Sequence, residues 1–294
     1  MAKKIINKKQ KPDFSLEYSP DKKISLTIYV LLIALAILLP VLMLIGAYSK
    51  NGNWGFPLDD PWIHLTFAKN LAKYFSFSYF KNEMVTAGST SPIYTAILAI
   101  GFFITNNEFI ISYILGIMFF VLGGIFIYKL SSHDFKKENI FAIIVTAVFI
   151  ADKWINFISV SGMETTMYIF VLIACAYFYR NKSSVLFAVF AALIIWTRPD
   201  GFAFYAALIV DYLWLLYASK SDKTLVTFNK NDYKKIAIIF SALLILYFLM
   251  NELLSGSLLP NTYNAKLTYY SPEFNSRTGF LKNEVWDYFT PPSR

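Results

Sequence analysis

WGFPLDDPWIHLTFAKNLAKYF, residues 54–75, decides how this chain of 294 residues is read. It follows the first long apolar run, Ile24 to Tyr48, and leads through a small polar segment, residues 88–92, into a shorter apolar run. Asp59 and Asp60 stand where a polar loop becomes an amphipathic helix. Asp60-Pro61 has the form of an N-cap followed by proline at the first helical position. Beyond it Leu65, Ala68, Leu71, Ala72 and Phe75 form one apolar stripe, with Lys69 and Lys73 off it. One aspartate suffices as a cap, so the other is left for different work. A spare carboxylate beside a membrane surface is a candidate general base. His64, one turn after Asp60, is placed either to hydrogen-bond to it or to sit at the interface as an ordinary polar residue.

The rest of the chain explains where this loop lies. It is 56% hydrophobic and 18% aromatic with 16% charged residues, where a soluble domain carries about 25% charged. Mean hydropathy is +0.49, and several runs are too long and apolar for a soluble core, so the class is polytopic membrane protein. The first run is too long for a cleaved signal and no small-residue cleavage site follows it, so it reads as a retained span. A net charge of +8 suggests nucleic acid at first sight. The Lys and Arg residues sit between apolar runs, however, so the implied partner is the lipid bilayer and nucleic acid is excluded. The lone Cys175 lies within an apolar run, which leaves no disulfide framework and no zinc site.

A crossing helix needs about 20 apolar residues. The candidate spans are 24–48, 108–130, 140–158, 165–179, 183–197, 201–218 and 236–253. The segment 92–105 is too short to cross and reads as a re-entrant or interfacial helix. Charge supports that choice. With 92–105 not crossing, the inner segments 1–23, 129–139, 180–182 and 219–235 hold 17 of the 27 Lys and Arg residues. Were it to cross, two basic loops would move outside and the positive-inside bias would collapse. The expected fold is all-α, with seven transmembrane helices and juxtamembrane helices in the first outer loop. Residues 1–23 form a basic cytoplasmic start, 24–253 a seven-span domain with its outer loop at 49–107, and 254–294 an outer loop or the start of a longer C-terminal part.

This topology gathers four polar clusters on the outer face. Beside Asp59 and Asp60 stand Glu164 between the third and fourth spans and Arg198 with Asp200 between the fifth and sixth. Asn261 and Lys266 follow the seventh. Ionisable groups at membrane depth are costly and mark function more often than structure. Glu164 reads either as a first-turn carboxylate favoured by the helix dipole or as the partner of a buried cation, Arg198 being one candidate. Arg198 either snorkels or grips a phosphate or carboxylate. Lys266, with Asn261 before it, is a second phosphate candidate or a solvated loop charge. Trp54, Trp62, Trp154 and Trp286 fit an interfacial belt, and Asp152-Lys153 reads as an interfacial ion pair.

Taken in order, DDPWIHLTFAKNLA (59–72), GSTSPIYT (88–95), SGMET (161–165), TRPDG (197–201) and GSLLPNTYNAK (256–266) resemble the GT-C superfamily of membrane glycosyltransferases. Within it the bacterial arabinofuranosyltransferase-like branch is the most similar. The resemblance covers residues 53–266. It implies a seven-span core, a polyprenyl-phosphate-linked sugar donor, and transfer to a glycan, lipid or protein acceptor on the outer face of a bacterial inner membrane. It also implies that an aspartate of the first outer loop, here Asp59 or Asp60, is the catalytic acid/base residue. His64, Glu164, Arg198, Asp200, Asn261 and Lys266 would then line the substrate pocket. The scheme needs no metal, although paired aspartates can hold one divalent cation. Where family members carry a basic residue within the first-loop helix, this chain has Thr66-Phe67, with Lys69 nearby. Two other readings compete. A transporter or lipid flippase would carry polar residues at mid-span. A non-catalytic assembly subunit would leave the four clusters far apart.

Overall fold

Long apolar segments can be buried in a bilayer or within a bundle, and this chain uses both. The computed structural model describes residues 22–81, 83–134, 139–218, 228–263 and 265, and these residues form helices and no strand. In order they are α1 (Lys22–Asn51), α2 (Asp60–Tyr74), α3 (Pro92–Phe102), α4 (Glu108–Asp134), α5 (Asn139–Ala151) and α6 (Lys153–Ser159). There follow α7 (Thr165–Arg180), α8 (Ser184–Thr197), a 3-10 turn Pro199–Gly201, α9 (Phe202–Ala218) and α10 (Lys230–Ser255). The basic start at 1–21, and Lys266 with everything after it, lie outside the described residues.

Four segments, Leu26–Asn51, Glu108–His133, Pro199–Tyr217 and Lys230–Ser255, are long and apolar enough to cross a membrane. The number rises to five if α5 and α6 together make one broken span. The expectation of seven full crossings is therefore met only in part. Helix α7 has 16 residues and α8 has 14. At 1.5 Å per residue they reach about 24 and 21 Å, short of the roughly 30 Å of hydrocarbon.

Side-chain bridges show where α8 lies along α10. Near one end of α8, Ser184 Oγ donates to Asp232 Oδ1 at 3.0 Å, and near the other Trp196 Nε1 donates to the Leu243 carbonyl at 3.0 Å. Helix α8 thus covers only the first half of α10, which runs on past Leu243 to Ser255, about 18 Å further. Helix α4 tells the same story. A Cβ on Gly116 would lie 2.0 Å from the Ser159 carbonyl oxygen, so the end of α6 meets α4 about 12 Å below its first residue. The short helices stop beneath the ends of α4 and α10 and leave a recess. Helices α2 and α3 fill it: they pack on each other, and α3 also reaches α4 and α8. Lys69 Nζ, 2.6 Å from Glu108 Oε1, ties α2 to the first turn of α4.

The expected span at 140–158 is broken: α5 and α6 meet at an angle of 59°. Asp152 is committed to this break: its carboxylate accepts from Trp154 N and Ile155 N, both at 2.9 Å, and caps α6. The Ile150 carbonyl, left at the break, finds a donor in Asn156 Nδ2 at 2.6 Å, which also lies 2.8 Å from the Asp152 oxygen. Interrupted helices persist at membrane depth only where side chains satisfy the backbone in this way. The expected ion pair is replaced accordingly, with Lys153 Nζ lying 5.1 Å over the Trp154 ring.

The core joins the stripe of α2 to the bundle. Leu65 and Ala68 pack with Tyr94 and Leu98 of α3, Ile111 and Phe119 of α4, and Met167, Val171 and Cys175 of α7. Leu71 and Ala72 complete the stripe at its margin. Phe75 does not belong to it. It is the left-handed C-cap of α2 (φ 54°) and is exposed, since helical periodicity ends one residue earlier. Cys175 is fully buried. A second cluster of Ala36, Phe120 and Ile150 attaches α1 to α4 and α5.

Candidate functional site

The residues that end the short helices face each other across the recess. The turn after α6 has Gly162 in the left-handed region (φ 80°), which non-glycine residues adopt only at a cost. That turn aims Glu164 away from its own helix. Glu164 occupies the N-cap position of α7 but makes no side-chain cap bond. Instead Arg198 Nη1 donates to Glu164 Oε1 at 2.8 Å, and His64 Nε2 lies 3.1 Å from Oε2. The Glu164 side chain is only 3% exposed, and it holds these two groups from helices that are distant in sequence. The His64 contact is within hydrogen-bonding range but poorly aligned, so Oε2 keeps open acceptor capacity.

Burial alone would raise the Glu164 carboxyl. His64, 3.1 Å away, and the charge of Arg198 outweigh it and hold the group below the usual carboxylate range. For Arg198 desolvation works toward a lower value, and Asp200 and Glu164 reverse it, so the guanidinium is held above its ordinary range. Arg198 is an extended residue at the end of α8, where Pro199 stops the helix. Its Nε donates to Asp200 Oδ1 at 3.1 Å and its Nη2 to Oδ2 at 3.2 Å. Asp200 therefore orients Arg198, and Tyr168 adds a ring face 5.8 Å from the guanidinium carbon.

His64 is buried rather than interfacial, and it pairs with Glu164 and not with Asp60. Its other nitrogen, Nδ1, is 2.9 Å from Ser89 Oγ, which is 2.7 Å from Thr95 Oγ1. Tyr94 donates its hydroxyl to the Gly162 carbonyl at 2.9 Å, locking α3 onto the turn that presents Glu164. Ser89, Tyr94 and Thr95 were not singled out as site residues. The signal available in sequence was the run of small polar residues, 88–91, placed before Pro92.

The two aspartates separate. Asp59 is the N-cap of α2, its Oδ1 accepting from Asp60 N at 3.1 Å, and Asp60 is the first helical residue. The cap is thus one residue earlier than Asp60-Pro61 suggests. Asp60, not Asp59, lines a cavity of about 440 Å³ together with His64, Glu164, Arg198, Asp200 and Thr262. Asn261 is not among the lining residues, whereas its neighbour Thr262 and Ala265 are. Lys266 lies outside the described residues. Three of the polar clusters, at Asp60, at Glu164 and at Arg198 with Asp200, line this one cavity.

The described lining carries three carboxylates against one guanidinium. Among the described residues no three His, Cys, Asp or Glu side chains converge as metal ligands. Asp59 and Asp60 are adjacent and both exposed, and one Asp59 oxygen accepts from the Asp60 amide. No protein-family model, curated protein or solved structure matches the chain.

Proposed function

We propose that this protein is a multi-pass membrane glycosyltransferase that moves a sugar from a polyprenyl-phosphate donor to an acceptor hydroxyl. In this reading α1, α4, the α5–α6 pair, α7, α8, α9 and α10 make seven crossings, with the recess on the non-cytoplasmic side. The short crossings end at the floor of the recess instead of at the membrane surface. The observation that carries the reading is Glu164, a buried carboxylate that grips Arg198 and has His64 3.1 Å away, below the ends of α4 and α10. A substrate reaching such a floor from the bilayer must be a lipid or be carried by one.

The chemistry follows from the positions. Asp60 accepts the proton of the acceptor hydroxyl as its oxygen bonds to the anomeric carbon of the sugar. The bond between that carbon and the donor phosphate breaks, and the phosphate leaves with the electron pair. Arg198 meets the charge that develops on it. Because Glu164 and Asp200 already share the guanidinium, Lys266, which follows Ala265 in the chain, supplies the second cation in this scheme.

A transfer assay against a panel of polyprenyl-phosphate sugars, with purified protein in nanodiscs, tests the proposal. Asp60→Asn is expected to lower turnover at least a hundredfold, as loss of a general base typically does. Asp59→Asn should leave turnover within a few-fold of wild type. Full activity of the Asp60→Asn protein, or the absence of transfer from every donor, sinks it.

A further inference from the structure

The bundle contains a second cavity, of about 410 Å³, on the far side of Phe56 from the first. We propose that it is a phospholipid site, taking one acyl chain of a lipid from the leaflet on the site's side of the membrane. Its origin is mechanical. Helix α5 runs beside α1 and shares a core cluster with it. At Asp152 the chain turns by 59° into α6. Gly116 lets the end of α6 close directly onto the backbone of α4. Helix α6 is thereby held against α4, and a wedge opens between α6 and α1.

The wedge has two chemical zones. Its depth is walled by Met43, Leu44 and Ala47 of α1 and by Phe157 of α6, side chains that offer water nothing to bond to. Its mouth, at the end of α1, is lined by Tyr48, Asn51 and Asn53. The amides of Asn51 and Asn53 are exposed and bond to no other described residue. Lys50, in the last turn of α1, is exposed and unpaired among the described residues. An apolar slot beneath exposed amides, with Lys50 next to Asn51 in the chain, matches a hydrocarbon chain beneath ester and phosphate oxygens. The slot is also continuous with the lipid-facing surface of α1, whose apolar window has a mean hydropathy of 3.1 and is 11% buried. Bilayer lipid is therefore the occupant at hand.

Occupancy bears on the first cavity through Phe56. Its ring walls the wedge and also lies where a Cβ on Gly162 would fall, 2.7 Å from that position. A chain in the wedge supports Phe56 from behind, and with it the loop that leads to Asp60. This inference rests on membrane embedding and stands apart from the proposed glycosyl transfer.

Native mass spectrometry of the full chain, delipidated in mild detergent and titrated with palmitoyl-oleoyl-phosphatidylglycerol, tests it. Saturable retention of one lipid is expected. Ala47→Phe, which fills the wedge, should lower retention at least fivefold, while Leu38→Phe, on the lipid-facing side of α1 outside the wedge, should not. Absence of saturable binding overturns the proposal, as does unchanged retention in an Ala47→Phe protein that melts like wild type. Should Ala47→Phe fail to fold, Asn51→Asp decides. This exposed substitution sets a negative charge where the phosphate lies, and undiminished retention would again overturn the site.

Discussion

Replacing Glu164 with Gln keeps the shape of the side chain and removes the charge that joins α2, α7 and α8. Breaking a fully buried ion pair costs roughly 3–5 kcal/mol, because the surviving charge is stranded. Arg198 is not stranded in this way. Its side chain is 32% exposed and retains Asp200, and the new amide oxygen still accepts one hydrogen bond. Interhelical polar pairs in membranes couple by only about 0.6 kcal/mol on average and up to about 1.7. The buried position of Glu164 puts its pair with Arg198 at the upper end, near 1–2 kcal/mol, by the same principle. Adding the misaligned His64 contact gives about 2–3 kcal/mol for Glu164→Gln, between the surface and fully buried limits. For a chain of this length that lowers the melting midpoint by roughly 3–5 °C. Thermal unfolding in detergent of Glu164→Gln, Arg198→Gln and the double variant measures the coupling directly. If the single effects add to within about 0.5 kcal/mol, the two residues do not act as a unit and the described centre of the site is wrong.

Other outcomes follow from the same geometry. Gly162→Ala forces a left-handed residue, at about 1–2 kcal/mol, and drives a methyl into Phe56, so it should destabilise the protein and depress any transfer activity. Gly116→Ala meets the fixed Ser159 carbonyl and should cost about 1–3 kcal/mol, read as a lower melting midpoint. The lowered carboxyl of Glu164 adds stability that is fully present above the ordinary carboxylate range. It is lost as pH falls through the depressed folded value, so acid unfolding of Glu164→Gln should show a shallower loss across that window than wild type. Thiol labelling of Ser255→Cys from outside intact cells, with Ser221→Cys protected, is the outcome that the proposed topology requires.

Much of the fold was legible because hydropathy is a local property. Apolar runs located α1, α4, α9 and α10, and a run too short to cross identified α3. Pro61 and the aspartates before it marked the start of α2, although the cap fell to Asp59. The break between α5 and α6 was hidden because its apolar run is continuous. Only Asn156, bonding to carbonyls four and six residues earlier, completes it. His64 was equally opaque, since a histidine beside an apolar stripe is buried only if a partner elsewhere satisfies its nitrogens. Ser89 bonds to Nδ1, and Glu164, a hundred residues away, lies beside Nε2.

The sequence by itself determined the membrane class, most of the helices, and the charged residues from which a site could be assembled. Each depends on composition or on neighbours within a few turns. Tertiary structure alone decided that Asp60 faces the cavity and Asp59 does not, that Glu164 rather than Asp60 holds His64, and that Arg198 spends its charge on two carboxylates. These are matters of which side chain meets which across a packed interface. Helix periodicity gives each residue a direction, and only the docking of α2 and α3 over the short helices gives that direction a target.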